Sequence, residues 1–175
     1  LIAPYDPTLV DLPNRLKPPS WSNPFGTDEM GRDVLSRLLY GGRISLMIGF
    51  VPTFISMVVG TVLGLVAGYF GKQVDFVIMR LADIVLAFPS LLLAMVIMYT
   101  MGASTLNLFI ALSIISWAGT ARVVRAQTLS LREKEFVEAA NAVGVNRWVL
   151  MFRHILRNCL PSMIVLFTLE IPSAI

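Results

Sequence analysis

Side chains that could do chemistry are few in this sequence of 175 residues. It has one histidine (His154) and one cysteine (Cys159), and only 14% of its residues are charged, against about 25% in an ordinary soluble domain. No HExxH or GxSxG pattern occurs. Around Gly71 the phosphate-loop pattern fails, since its first glycine and last hydroxyl positions are Val66 and Gln73. We therefore predict no catalytic residue, no metal site and no cofactor bound by this chain.

Glu170 is the charged residue in the least expected place. It interrupts the apolar run that extends from Cys159 to Ile175, roughly halfway across a bilayer if that run is helical. A carboxylate there is costly and is a functional candidate by default. We treat Glu170 as a candidate intramembrane polar site, with pairing to another helix as the structural alternative.

A second charged group precedes the first long apolar run. Asp28, Arg32 and Asp33 stand close together in a segment that is rich in proline and charge. Such a segment could gate an outer opening or contact a second protein, whereas pairing among the three side chains would make it a structural turn. Both interpretations stay open from the sequence.

A third group lies between residues 122 and 158. The run from Ser130 to Glu133 has the pattern of a capping box, which predicts the start of a helix. An apolar stripe then recurs at helical spacing, at Phe136, Val137, Ala139, Ala140 and Val143. Gly144 is suited to end this helix, and Asn146 to cap a second short one. Two such helices could lie flat on a bilayer or dock into a groove of a partner.

The elements that carry these groups are predicted to be membrane helices. The chain is 56% hydrophobic with a mean hydropathy of +0.75. Long apolar runs predict spans at about 44–71, 84–102 and 106–121, and a truncated one at 159–175. Because the chain begins without methionine and ends inside an apolar run, we expect it to be a fragment that lacks further spans.

Loop charges orient these spans. Residues 122–158 contain seven basic side chains, which predicts that this loop is cytoplasmic: Arg122, Arg125, Arg132, Lys134, Arg147, Arg153 and Arg157. Counting spans then puts 72–83 inside and 1–43 outside. The expected fold is an all-α, polytopic helix bundle, with an extracytoplasmic segment 1–43, a transmembrane domain 44–175 and a cytoplasmic two-helix loop at 122–158.

Two patterns inside the bundle concern packing. Ser56, Gly60, Gly64 and Gly68 recur every four residues and predict a helix face that another helix can approach closely. Arg80 and Asp83 are one helical turn apart and are expected to pair at the cytoplasmic face.

The loop motifs resemble a known family. Glu138-Ala-Ala-Asn-Ala-Val-Gly144, with Leu160-Pro161 downstream, resembles the EAA loop of permease subunits of bacterial ABC importers. The run from Gly26 to Arg37 and the run from Ala82 to Pro89 resemble the dipeptide, oligopeptide and nickel branch of that family. The resemblance extends from about Pro4 to Ile175.

This resemblance implies a role for the loop. In the family, the loop docks onto a separate ATP-binding subunit and transmits its motion to the spans. Carried onto this sequence, the coupling residues are Glu138, Ala139, Ala140 and Gly144, with Phe136 and Val137 as apolar docking groups.

The resemblance also implies the partners. They are a homologous permease subunit, expected to form a heterodimer, two ATPase subunits that hold ATP and Mg, an extracytoplasmic binding protein and membrane lipid, with no nucleic acid. The implied location is the bacterial inner membrane, and the implied cargo is a di- or oligopeptide. Nickel import is one alternative, and a gradient-driven transporter or channel is another, for which Glu170 is the relevant residue.

Overall fold

The structure, a computed structural model, describes residues 3–174, and these residues form helices and loops without a β-strand. Six helices are defined here in chain order: α1 Val34–Phe70, α2 Lys72–Ala87, α3 Ser90–Met101, α4 Thr105–Arg132, α5 Glu135–Ala142 and α6 Arg147–Ala174. Within α6, the stretch Leu150–Ile155 is π-helical. The predicted all-α, polytopic fold class is confirmed.

The chain divides into two compact units, Leu1–Ile48 and Gly49–Ile175. The described part of the first unit is mostly irregular, with a short 3₁₀ helix at Leu12–Asn14, and it ends in the first turns of α1. The second unit contains the rest of α1 and helices α2 to α6. The predicted division at residue 43 falls inside α1 and therefore does not coincide with a break in the helix.

In the described part of the chain, three helices are long and apolar enough to cross a membrane, namely α1, α4 and α6. The first predicted span, 44–71, is part of α1, which begins earlier, at Val34. The third, 106–121, is part of α4, which continues to Arg132. The prediction cut both helices short because it stopped at charged residues, which a helix can carry beyond the hydrocarbon region.

The second predicted span, 84–102, is wrong as a single helix. Helices α2 and α3 meet at an angle of 90°. Phe88 has an extended backbone, with ψ at 140°, and Pro89 precedes the first turn of α3. A proline disfavours helical geometry in the residue before it, which explains the break. Much of α2 lies in the segment 72–83 that was predicted to be a loop.

The predicted cytoplasmic loop 122–158 is also much shorter than expected. Residues up to Arg132 belong to α4, and residues from Arg147 onward belong to α6. The predicted capping box is wrong, because Ser130 lies inside α4 and Glu133 follows the end of α4. The second short helix is not separate either, since it continues directly into the last span. Only α5 and its two flanking turns remain between the long helices.

Helices α1 and α4 pack at a distance that only glycine allows. A Cβ atom added to Gly64 would lie 2.6 Å from the carbonyl oxygen of Ala121 and 2.9 Å from the Cβ of Val124. Gly60 and Gly68 face α4 in the same way, one turn before and one turn after. The predicted close approach of another helix to this small-residue face is confirmed.

We predict that Gly64→Val destabilises the bundle, by about 1–3 kcal/mol, because the new side chain overlaps the backbone of α4. Thermal unfolding in detergent would measure the loss. The matched control is Gly41→Val in the same helix, where an added Cβ meets no atom within 4 Å. Equal melting temperatures for the two variants would contradict the packing.

Candidate functional site

Helix α5 is attached to the bundle by one of its faces. Val137 is fully buried, and Ala140 packs against the same hydrophobic cluster, which includes Leu150, Met151 and Ile155 of the π-helical stretch. Val137 therefore holds α5 to the bundle and does not offer its side chain to another chain, which corrects the expectation that it is a docking group. A single apolar stripe was predicted, but its residues divide between two faces.

The other face of α5 is open. Phe136 and Val143 are 39% and 80% exposed, and Glu138 and Ala139 lie exposed between them. This outer face combines two apolar side chains, a small residue and one carboxylate. A short helix that shows such a face can fit a groove in a partner protein. The assignment of Phe136, Glu138, Ala139 and Ala140 to coupling remains a prediction.

Two features fix the connection from α5 to α6, and both agree with the sequence analysis. Gly144 has φ at +75°, a left-handed conformation that costs a residue with a Cβ about 1–2 kcal/mol. The backbone N–H of Val145 donates to the carbonyl of Ala140 across this turn, at 3.0 Å. The side chain of Asn146 then accepts from the N–H of Trp148, at 2.9 Å, and so caps α6.

The ends of α1 and α4 meet beside α5. Arg132 Nη1 donates to the last carbonyls of α1, on Gly68 and Tyr69, at 3.4 and 3.1 Å. A cation there satisfies unpaired carbonyls and interacts favourably with the helix dipole. Phe70 of α1 contacts Trp148 of α6 edge to face, with ring centroids 5.9 Å apart. The segment that carries α5 is therefore connected to three long helices.

Ion pairs join α4 to α2, and the sequence analysis did not find them. Arg122 Nη2 lies 2.6 Å from Asp83 Oδ1. The guanidinium of Arg125 donates hydrogen bonds to both carboxylate oxygens of Asp75. The predicted partner of Asp83, Arg80, is present but more distant, at 3.8 Å. Pairs so far apart in sequence become visible only when α2 is recognised as a helix that runs beside α4.

Asp28, Arg32 and Asp33 lie in the first unit. Their side chains bond to each other or to nearby residues of the same segment. Asp28 pairs with Arg32 at 2.9 Å and with Arg37. Asp33 precedes α1, accepts from the backbone N–H of Ser36 at 2.8 Å, and accepts from the Asn23 amide. These contacts support the structural-turn interpretation, and an outer gate or a binding-protein contact at these residues stays a prediction.

The pKa of Asp28 reflects this network. Burial acts to raise it, but backbone N–H groups of Arg32 and Met30 and the guanidinium groups of Arg32 and Arg37 prevail and lower the pKa to about 2. The pKa of Asp33 is also lowered, because the hydrogen bonds from Asn23 and Ser36 outweigh its burial.

Glu170 lies at a cavity of about 580 Å³ inside the second unit. Its Oε1 atom accepts a hydrogen bond from Thr120 Oγ1 at 3.4 Å. Its Oε2 atom is buried and has no hydrogen-bond partner among the described residues. Within the same part of the chain, no three His, Cys, Asp or Glu side chains come together in a group that could hold a metal ion.

These observations define the class of protein: a polytopic helical membrane protein with a short exposed helix between two spans. The family model for "binding-protein-dependent transport system inner membrane component" matches residues 60–175. The chain belongs to this family, and it is a multi-pass component of the inner membrane.

Curated relatives match over nearly the whole chain. A dipeptide transport system permease protein from Alkalihalophilus pseudofirmus is 46% identical over 93% of this chain and 53% of its own length. A probable D,D-dipeptide permease from Escherichia coli is 42% identical over 99% of this chain and 58% of its own length. An oligopeptide permease from Bacillus subtilis is 38% identical over 98% of this chain and 56% of its own length. The chain thus spans little more than half the length of these relatives.

We predict that protonation of Asp28 loosens the turn around it. Its pKa in the folded segment is below the ordinary value of 3.8, so its stabilising effect is complete above about pH 4 and is lost as the pH falls toward 2. Amide exchange of residues 28–33, corrected for the chemical exchange rate, should stay slow from pH 7 to about 4 and accelerate below.

At neutral pH, Asp28→Ala should give the same loosening, because the N–H groups of Met30 and Arg32 lose the Oδ1 atom to which they donate. We expect exchange to accelerate at least about tenfold. The control is Glu29→Ala, which removes the exposed carboxylate next to it. Unchanged exchange in Asp28→Ala would contradict this account of the turn.

Proposed function

We propose that this chain is part of the permease subunit of an ATP-driven importer of di- or oligopeptides. In this proposal a binding protein delivers the peptide from outside, and a second, homologous permease subunit completes the pathway. Two separate subunits bind ATP and Mg and hydrolyse the ATP, since this sequence has no phosphate loop. The peptide cargo is supported by the names of the relatives, which are dipeptide and oligopeptide permeases.

The observation that carries the coupling role is the exposed face of α5. Phe136, Ala139 and Val143 leave apolar surface uncovered, while Val137 ties the opposite face to the core. A helix that is packed against the core on one side and exposed on the other can transmit the motion of a docked partner to the bundle. It shifts the bundle between two states only to the extent that the partner binds the two states differently.

The chain connections of α5 to α4 and α6 provide a path for this motion. Helix α5 follows α4 after a short turn and precedes α6 after the Gly144 turn. Motion of α5 therefore acts directly on two spans and, through Arg132 and the carbonyls of Gly68 and Tyr69, on the end of α1. Helix α5 and the turns that connect it to α4 and α6 act as a lever, and such a lever transmits motion only if these turns are stiff.

Two other functions are less well supported. Nickel import would use the same architecture, but the relatives reported above are named for peptides. A gradient-driven transporter or a channel would use Glu170 without needing α5 to dock. Uptake that requires ATP and a separate ATPase subunit, in vesicles that contain the assembled importer, would support the proposed function over a gradient-driven transporter and over a channel.

We predict that Gly144→Val abolishes peptide uptake while the chain still inserts into the membrane. Valine disfavours the φ of +75° at this position, so the turn must change and α5 is aimed wrongly. Uptake by vesicles and the ATPase activity that the loaded binding protein stimulates should both fall.

The matched control is Gly102→Val. Gly102 also has a positive φ, +90°, and an added Cβ meets no atom within 4 Å at either position. It lies between α3 and α4, at the other end of α4 from α5, so its backbone strain should leave coupling intact. Normal uptake by Gly144→Val, or equal loss in both variants, would contradict the proposal that α5 transmits motion to the spans through the Gly144 turn.

Cysteine crosslinking tests the docking face directly. We expect Ala139→Cys to crosslink to the ATPase subunit, because the side chain of Ala139 is exposed, and we expect Val137→Cys, two residues away and buried, to give none. Both variants are made in a Cys159→Ala background. Reaction of Ala139→Cys with lipid-phase reagents in place of the ATPase would overturn the docking proposal.

A further inference from the structure

The cavity beside Glu170 is lined by four segments of the bundle and is partly open. Its lining comes from α1, the α2–α3 break, α4 and the last turns of α6. Its volume of about 580 Å³ lies within the range of roughly 300–1,000 Å³ that small-ligand sites occupy. Hydroxyl groups from four helices, on Thr53, Ser90, Ser116 and Ser173, interrupt an otherwise apolar wall.

Glu170 is the one charged residue in this described lining. Thr120 donates to Oε1, and Oε2 is buried with no hydrogen-bond partner within residues 3–174. A carboxylate at membrane depth is stabilised by a cation or by hydrogen bonds, and half of this group has neither. The site as it stands is therefore complementary to a small group that carries positive charge and donates hydrogen bonds.

The chemistry of the lining favours an ammonium group over a metal ion. A transition metal would need several ligands, and imidazole or thiolate groups suit it best, whereas the lining offers one carboxylate and hydroxyls. An ammonium group with three N–H donors can bind Oε2 and neighbouring hydroxyl oxygens together. The spread of hydroxyls around the cavity also suits the polar peptide group that is attached to such an ammonium.

We propose that Glu170 binds the amino-terminal ammonium group of a peptide while the peptide crosses the membrane through this cavity. This inference rests on the proposed function, because it takes the cargo to be a peptide. A single carboxylate holds an ammonium only weakly, which suits a site that must release its cargo. The apolar residues of the lining, such as Leu112 and Ile115, contact the side chains of the peptide.

The test uses the complete importer in vesicles: the full-length permease pair, its ATPase subunits and its binding protein. Uptake of alanyl-alanine is compared between the unchanged importer and Glu170→Gln, which keeps the shape of the side chain and removes its charge. We expect uptake to fall at least about tenfold, while ATP hydrolysis stimulated by the loaded binding protein and the yield of assembled complex stay unchanged.

The matched control is Glu29→Gln, which removes an exposed carboxylate that does not line this cavity. It should transport normally. A second readout does not depend on transport rate: a photoreactive dipeptide with a free amino terminus should label the α4 wall at Leu112 or Ser116. That labelling should be lost in Glu170→Gln and for the N-acetylated dipeptide.

The outcomes separate the two proposals. If the unchanged importer takes up no dipeptide, the proposed function fails and the inference fails with it. If it takes up dipeptide and Glu170→Gln does so equally well, only the inference is overturned. A loss of uptake that is matched by a loss of assembled complex overturns it too, because Glu170 then serves as a structural partner of another helix. Equal labelling by the free and N-acetylated dipeptides has the same effect.

Discussion

The contact between α1 and α4 is the constraint on which the rest of the second unit depends. Lipid tails are as apolar as the side chains they touch, so membrane helices gain little from hydrophobic burial and associate through close packing. Gly60, Gly64 and Gly68 provide it, because their missing side chains let the two backbones approach. Helix α4 is thereby fixed in position, and helices α2, α3, α5 and α6 pack against it.

The same helix links the two regions to which we assign proposed functions, the segment of α5 and the cavity beside Glu170. Thr120, which packs on Gly60, also donates to Glu170 in the cavity. Further along α4, Arg122 and Arg125 hold α2, and Arg132 holds the end of α1. Helix α5 follows immediately. A displacement of α5 therefore reaches the cavity through one continuous hydrogen-bonded helix, and a long chain of separate side-chain contacts is not needed.

The errors of the sequence analysis have a common cause. A prediction that ends spans at charged residues assigns most of α2, which carries Asp75 and Asp83, to a loop. It likewise assigns the end of α4 and the start of α6 to a long cytoplasmic segment. These charges are tolerated in helices because partners far away in sequence neutralise them, as Arg125 does for Asp75. Val137 shows the same limit: periodicity placed it on an apolar stripe, but the core that buries it comes from α4 and α6.

The sequence by itself determined the membrane class, the all-α fold, the glycine face of α1, the turn at Gly144 and the cap at Asn146, because each depends on local composition or on the conformational range of one residue. It also carried the family motif. Only the tertiary structure decided that α2 pairs with α4, which face of α5 is free, and that Glu170 borders a cavity with one oxygen unpaired among the described residues. Those properties are set by which distant segments come into contact, and local spacing does not contain that information.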